Sequence, residues 1–502
     1  MRSPAERHSW VQLPIPALGD KMPLKLFNTM TRKKELVRPI HNNEIRLYTC
    51  GPTVYDYAHI GNWRSFVAED ILKRVLLFNG FKVKHVMNIT DVGHLTSDAD
   101  TGEDKIEIGA KREGKTAWEI ARFYEKVFFD DVEKLNILKA NVYPRATEHI
   151  KEQIELVKRL EKKGYTYIIE NDGVYFDTSK FKGYGKMSRM NREKLKAGAR
   201  VEMVEGKRNL TDFALWKFSP KDKKRQMEWD SPWGRGFPGW HIECSAMGMK
   251  YLGEHFDIHC GGEDHITIHH PNERAQAEAA TGKKFVNIWM HVKFLVIEGK
   301  KMSKSLGNYY ILEDILKMGY DSKVVRYILM ASHYREQMNF TLKGLKAAKK
   351  TVDGLLDFMD RIQKIKVTGE YNKDLHEKVK KAKEKFLESI NDDLNMPNAL
   401  AAVFDLTKEV NKTIDERKIS KKNLKEVYDQ MIEFDKVLGI LEIKKEKLAE
   451  EIKDLILKRE GLRKRGDFEV ADKIRKEIKE RGYLIEDTPQ GPRWKRIKKR
   501  IK

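Results

Sequence analysis

The sequence predicts an α/β protein with a split parallel-sheet domain followed by an α-helical bundle, on three observations. A strand, a tight turn, a helix and a second strand fall within about 45 residues of position 45. Sheet signals return at 285–297 after an irregular stretch, which marks an insertion. From 322 onward the windows are rich in Leu, Lys and Glu at helical spacing.

Taken in order, residues 1–21 hold Pro4, Pro14 and Pro16 and lack the apolar run of an export signal, so they read as a flexible extension. Ile45, Leu47 and Thr49 alternate as a strand does, and Gly51-Pro52 turns the chain. Phe66, Ile71, Val75 and Phe78 then recur near 3.6 spacing, and Gly80 marks a helix stop. The β-branched run 83–90 completes a βαβ unit. Positions 141–238 lose regular patterning, and a basic stretch at 217–224 leads into Trp229, Trp233 and Trp240. Val286, Ile288, Met290 and Val292 restore alternation. Beyond 322 helices are expected to the end, broken at Pro397 and around Gly482. The expected divisions are 22–140 for the first half of the catalytic domain, 141–238 for the insertion and 239–341 for the second half. A bundle over 342–455 and a small basic unit over 456–502 complete the chain.

Length and charge narrow the class. At 502 residues and 40% hydrophobic content the chain has enough apolar mass for several cores. No run of about 18 apolar residues occurs, so no membrane helix is expected. Lys and Arg number 98 against 76 Asp and Glu, a net charge of +22 that favours a polyanionic partner. Three widely spaced cysteines, Cys50, Cys244 and Cys260, point to a reducing, cytoplasmic setting.

Two motifs carry phosphate chemistry. His59-Ile60-Gly61-Asn62 stands where the first strand gives way to a helix, whose free N–H groups attract phosphate. Gly61 leaves room for a flat base, and His59 and Asn62 supply hydrogen-bond donors. A Gly299-bounded loop later carries Lys301-Met302-Ser303-Lys304-Ser305, whose lysines suit a developing phosphoryl charge. Alone, each also reads as a helix cap or a solvated loop. Together, His-Ile-Gly-Asn resembles the HIGH signature, and Lys-Met-Ser-Lys-Ser matches the KMSKS signature, of class I aminoacyl-tRNA synthetases. Asn62 replaces the signature's last His. The resemblance implies a split Rossmann-type sheet holding ATP with Mg2+, with His59, Asn62, Lys301 and Lys304 catalytic and Gly61 and Asp264 also on the nucleotide.

Cys50, Cys244, His269 and Glu273 are a competent zinc donor set, with the last two spaced i, i+4. Spacing leaves alternatives, because His255, His259, His265 and His270 crowd the same region. The words around them decide the resemblance. Tyr48-Thr49-Cys50-Gly51-Pro52-Thr53, Gly239-Trp240-His241-Ile242-Glu243-Cys244-Ser245 and Gly261-Gly262-Glu263-Asp264 through His269-His270 resemble the cysteinyl-tRNA synthetase family. The likeness runs from Leu24 nearly to the C-terminus.

That resemblance implies one Zn2+ per chain on Cys50, Cys244, His269 and Glu273, with Cys260 a non-ligand thiol. It implies L-cysteine held by Cys50, Thr53, Thr90 and Trp240, and tRNA-Cys as acceptor, with Arg493, Trp494 and Lys495 stacking on and neutralising RNA. The expected protein is a monomeric ligase. The alternatives are a cysteine ligase acting on an amino sugar, which lacks the long helical end, and a non-catalytic zinc-containing RNA binder, against which His59 and the two lysines argue.

Overall fold

The computed structural model describes residues 23–92, 95, 102–189, 205–220, 224–303, 306–441, 450–488 and 491–496. The expected extension 1–21, Lys304 and the basic residues 497–502 lie outside the described residues. An antiparallel pair, β1 (Lys25–Asn28) and β2 (Lys33–Leu36), leads into β3 (Glu44–Thr49), α1 (Ile60–Phe78) and β4 (Lys82–Met87). β3 and β4 pair in parallel with Leu47 opposite His85, so the expected βαβ unit is present. α1 is apolar on more than one face, as a helix enclosed on all sides must be: Trp63, Val67, Leu72 and Leu76 are fully buried, and so are Arg64 and Asp70.

Two helices absent from the sequence reading follow, α2 (Lys105–Glu113) and α3 (Ala117–Lys134), the second opened by a Thr116–Glu119 capping box. The insertion is regular rather than irregular. α4 (Ile150–Lys162) precedes β5 (Thr166–Ile169), β6 (Gly173–Phe176), β7 (Phe213–Phe218) and β8 (Gly236–Pro238), an antiparallel sheet in that order. Every residue of β6 and nearly every one of β7 is buried, so the alternation that betrays a half-exposed strand is missing.

The chain then returns to the parallel sheet through α5 (Trp240–Leu252), β9 (Phe256–Gly262), α6 (His269–Thr281) and β10 (Val286–Val292). The completed order is β10-β9-β3-β4, all parallel, with β3 and β9 side by side although the insertion separates them in sequence. The run 285–297 holds a second strand, β11 (Leu295–Ile297), which leaves this sheet.

Past it come α7 (Leu312–Lys317), α8 (Ser322–Met330), and β12 (Met338–Phe340), parallel to β11. The expected bundle is α9 (Leu342–Lys364), α10 (Lys373–Asn391), α11 (Met396–Asp415) and α12 (Lys421–Leu438). The last unit is not wholly helical. α13 (Glu450–Arg465) and α14 (Phe468–Glu480) are followed by a hairpin of β13 (Tyr483–Thr488) and β14 (Gly491–Arg496), closed over Ile452, Ile456, Ile474, Ile478 and Ile485. Since α13 runs through position 455, we propose the division between bundle and terminal unit before Glu450.

Candidate functional site

The site grows from the C-terminal edge of the parallel sheet, where such sheets place ligands. β3 delivers Cys50 there, and the next residue must be glycine: a Cβ on Gly51 would lie 1.8 Å from the Asn88 carbonyl oxygen. That close approach lets Asn88 Oδ1 accept the Gly51 N–H at 2.9 Å. The backbone of Thr53 then pairs with that of Thr90, so two sequence-assigned substrate residues stand side by side. The Asn88 amide donates to Thr90 Oγ1 at 3.0 Å, and that hydroxyl donates to Glu243 Oε2 at 3.0 Å.

The two signature motifs meet at the start of α1. His59 is its N-cap: His59 Nδ1 accepts the Asn62 N–H at 3.2 Å, and Asn62 Oδ1 accepts the His59 N–H at 3.0 Å. The acceptor end of Asn62 therefore serves the cap, and its Nδ2 donors are the part suited to a phosphate oxygen. Ile60 donates its N–H to the Tyr310 carbonyl at 2.9 Å, and the His59 and Tyr309 rings meet edge to face. A Cβ on Gly61 would lie 2.9 Å from the His59 ring and 3.3 Å from Met302 Cε, so the loop of Lys301 packs over the helix start. That loop is held by Asn308, which accepts the Ser303 N–H at 2.8 Å and donates to the Lys301 carbonyl at 3.1 Å.

Cys50, Cys244 near the start of α5, and His269 and Glu273 on α6 bring four donor atoms within 4.8 Å of one another. All four residues are buried, Glu273 completely. His269 Nε2 is 3.1 Å from Glu273 Oε1, and Cys50 Sγ is 3.8 Å from the same oxygen. His269 Nδ1 lies 2.8 Å from His241 Nδ1, leaving Nε2 for the centre of the cluster. The Glu273 carboxylate is faced by Cys50 and by the rings of His259, His269 and His270.

Electrostatics shows what the cluster lacks in charge. A hydrogen bond from Cys50, aided by His269, draws the Cys244 thiol down to about 6, while burial and the Cys244 thiolate push Cys50 well up. Burial alone would lower His269, yet Glu273 and Cys244 raise it to about 10. Burial would likewise raise Glu273, but His259 and His269 hold it below the carboxylate range. Were both thiols ionised to hold a metal, the two thiolates and the carboxylate would carry three negative charges, and a divalent cation would offset two of them. The donor set fits zinc.

Other assigned residues border this cluster. Trp240 opens α5 with its ring centroid 4.5 Å from that of His269. Asp264, in a short 3-10 turn (Glu263–Ile266), folds back so that a Cβ on Gly262 would lie 2.3 Å from its carboxylate. Arg493, Trp494 and Lys495 lie on β14 of the chain's terminal unit, opposite Glu486, Ile485 and Leu484 in the hairpin register. Cys260 is not among these donors; it is buried on β9 among Ile258 and Met290, and burial raises its thiol. Sequence reasoning missed Glu243, Asn88 and His241. Glu243 and His241 lie inside a quoted motif, but nothing in the spacing assigned them.

Comparisons with known proteins identify the family of the chain. Residues 36–350 match the family model of the tRNA synthetases class I (C) catalytic domain, and residues 385–442 match the DALR domain. The chain is 46% identical to "Cysteine--tRNA ligase 1" of Burkholderia lata, over 94% of this chain and 97% of that protein. It is 45% identical to the Treponema denticola protein of that type, over 95% and 100%, and 42% identical to that of Thermococcus gammatolerans, over 95% and 100%. Among solved structures, methionyl-tRNA synthetase of Mycobacterium tuberculosis with methionyl-adenylate superposes at a TM-score of 0.54. That match has 17% identity and covers 79% of this chain and 90% of that one, and it shows the shared fold.

Proposed function

The chain belongs to the cysteine-tRNA ligase family of class I synthetases and joins cysteine to tRNA at the expense of ATP, and we propose that its thiol specificity resides in a zinc ion on Cys50, Cys244, His269 and Glu273. The observation that carries this proposal is the convergence of those four buried donors beside the Thr53–Thr90 pair. The DALR match and the near-complete coverage of the relatives disfavour the amino-sugar ligase and the non-catalytic alternative.

In the first step the cysteine carboxylate attacks the α-phosphorus of ATP, an O–P bond forms, and pyrophosphate leaves with the electrons of the bond that breaks. In the second, the 3′-terminal hydroxyl of tRNA attacks the acyl carbon and AMP departs. We assign the nucleotide, bound as its Mg2+ complex, to His59, Gly61, Asn62, Asp264, Lys301 and Lys304. The α1 N-terminus and the two lysines meet the charge that builds on the phosphates, and fixed donors of this kind supply much of the rate gain. Thr53 and Thr90 hold the amino and carboxylate groups, and Trp240 closes the pocket floor beside His269.

When bound, zinc supplies a thiophilic Lewis acid that prefers a thiolate to an alcohol, a distinction for which an apolar pocket gives only about 10²-fold. Were a third thiolate to join the set, the Glu273 carboxylate, the hardest of the four donors, would be the one to give way. His241 fixes the His269 ring so that Nε2 faces the cluster. We further propose that the protein works as a cytoplasmic monomer and that Arg493, Trp494 and Lys495 contact tRNA-Cys. Among the described residues no helix is long and apolar enough to cross a membrane, and all three cysteines are free.

The direct test is Cys50→Ser. It is expected to lose bound zinc and to lower cysteine-dependent pyrophosphate exchange by at least about 10²-fold. Retention of both full metal content and the parent exchange rate contradicts the assignment.

A further inference from the structure

Cys50 and Glu273 serve two donor sets. With His259 of β9 and His270 of α6 they form another quartet whose donor atoms also lie within 4.8 Å of one another, all four residues buried. Cys50 Sγ is 3.4 Å from His270 Nε2, and Glu273 Oε2 is 2.8 Å from His259 Nε2. The carboxylate thus spans the two sets: its Oε1 lies against His269 and its Oε2 against His259.

His270 is built as His269 is. Its Nδ1 lies 2.8 Å from His291 Nε2, and His291 Nδ1 lies 2.8 Å from Thr29 Oγ1. A chain running His270 N–H to His291, then His291 N–H to the Thr29 hydroxyl, leaves the His270 Nε2 lone pair facing Cys50. A second partner that fixes the far nitrogen in this way is the usual support of a metal-binding imidazole. His259 turns its Nε2 to Glu273 Oε2, and its buried Nδ1 has no hydrogen-bond partner among the described residues.

Charge separates the sets. Two thiolates, a carboxylate and one imidazole leave a divalent ion with a net charge of about −1, whereas one thiolate, a carboxylate and two imidazoles neutralise it. A neutral set is the cheaper one to bury. The nitrogen-richer set also favours ions such as Co2+ and Ni2+ over strongly thiophilic ones.

We propose that Cys50, His259, His270 and Glu273 form a second divalent-metal position adjoining the first and alternative to it, since both share Cys50 and Glu273, and that nitrogen-preferring ions select it. The inference rests on the metal reading of the first quartet. Its consequence is that the ion keeps a place inside the site when Cys244 does not hold it.

The test is Co2+ titration of the metal-stripped full chain, read by the sulfur-to-cobalt charge-transfer band. The parent and Cys244→Ser are each expected to bind one equivalent with the same single-thiolate band. Adding His270→Gln to Cys244→Ser lowers Co2+ affinity by about tenfold or more, whereas adding His269→Gln leaves it unchanged. The reverse order, or loss of Co2+ from Cys244→Ser alone, overturns the inference, as do two equivalents in the parent. A measurement free of variants is X-ray absorption on the parent: two sulfur neighbours for Zn2+ and one for Ni2+ are expected, and two for both contradict it. A parent that binds no metal sinks the reading of the first quartet instead, so the two failures are distinct.

Discussion

Glu273 and Asp91 are both buried carboxylates, and their surroundings send them in opposite directions. Glu273 stays ionised because histidines face it on both oxygens. Asp91 accepts from the Thr147 hydroxyl and N–H, at 2.6 and 2.9 Å, and burial outweighs these bonds and raises it from 3.8 to about 6. Between about pH 4 and pH 6 the folded chain therefore holds a proton that the unfolded chain has released, and stability falls as pH rises through that window, by about 3 kcal/mol in all. Asp91→Asn keeps an acceptor for the Thr147 N–H and abolishes this slope. Urea unfolding is expected to show the variant equal to the parent near pH 4 and more stable by up to about 3 kcal/mol at pH 7; an equal difference at both pH values contradicts the explanation. The donor residues were legible in the sequence as residue types, but the choice among the crowded histidines was not. Spacing says that His269 and Glu273 share a helix face; only the fold shows that His270, one residue along, also reaches Cys50.

At the scale of elements, α1 joins the nucleotide site to the helical bundle. Its N-terminus carries His59 and Asn62, and its middle carries a buried ionic junction. Asp70 Oδ2 accepts from Arg74 Nε at 2.7 Å and Arg326 Nη2 at 2.6 Å, while Oδ1 accepts the Leu138 N–H at 2.7 Å. Arg326 also donates to the Leu438 carbonyl at the end of α12, and Arg74 to that of Lys436. Burial would raise the Asp70 carboxyl, but the two guanidiniums outweigh it and hold it below the usual range, so its contribution is present at neutral pH and lost as pH falls through that lowered value. Asp70→Asn leaves two buried guanidiniums under-paired and is expected to destabilise the chain by about 3–5 kcal/mol in urea unfolding at pH 7; a cost under about 1 kcal/mol contradicts this role. α1 and its flanking strands were legible because their apolar periods are strong. The insertion's strands were not, since β6 and β7 are buried on both faces, nor was the final hairpin, where β13 bunches Tyr483, Leu484 and Ile485 together and β14 is largely basic, so neither shows an apolar alternation.

Across the whole molecule the insertion parts β3 and β4 from β9 and β10, and the parallel sheet closes over that gap to place Cys50 beside the donors of α5 and α6. No local window contains this site, so the sequence alone reached it through its resemblance to a family rather than through spacing. The net charge of +22 was legible as a polyanion signal, and the terminal unit, with its own small isoleucine core, is where we place one part of it. Deleting 493–502 is expected to lower tRNA charging by about tenfold or more and to flatten its salt dependence, with cysteine-dependent pyrophosphate exchange unchanged; equal losses in both assays contradict that separation. At this scale we propose that a metal on Cys50, Cys244, His269 and Glu273 reads the substrate thiol. The measurement that bears on it most directly is pyrophosphate exchange with cysteine and with serine, on protein stripped of metal and then restored with zinc. One zinc per chain, loss of cysteine-dependent exchange on stripping, and recovery with zinc for cysteine but not serine are expected. Stripped protein that activates cysteine at the full rate and still rejects serine would contradict it.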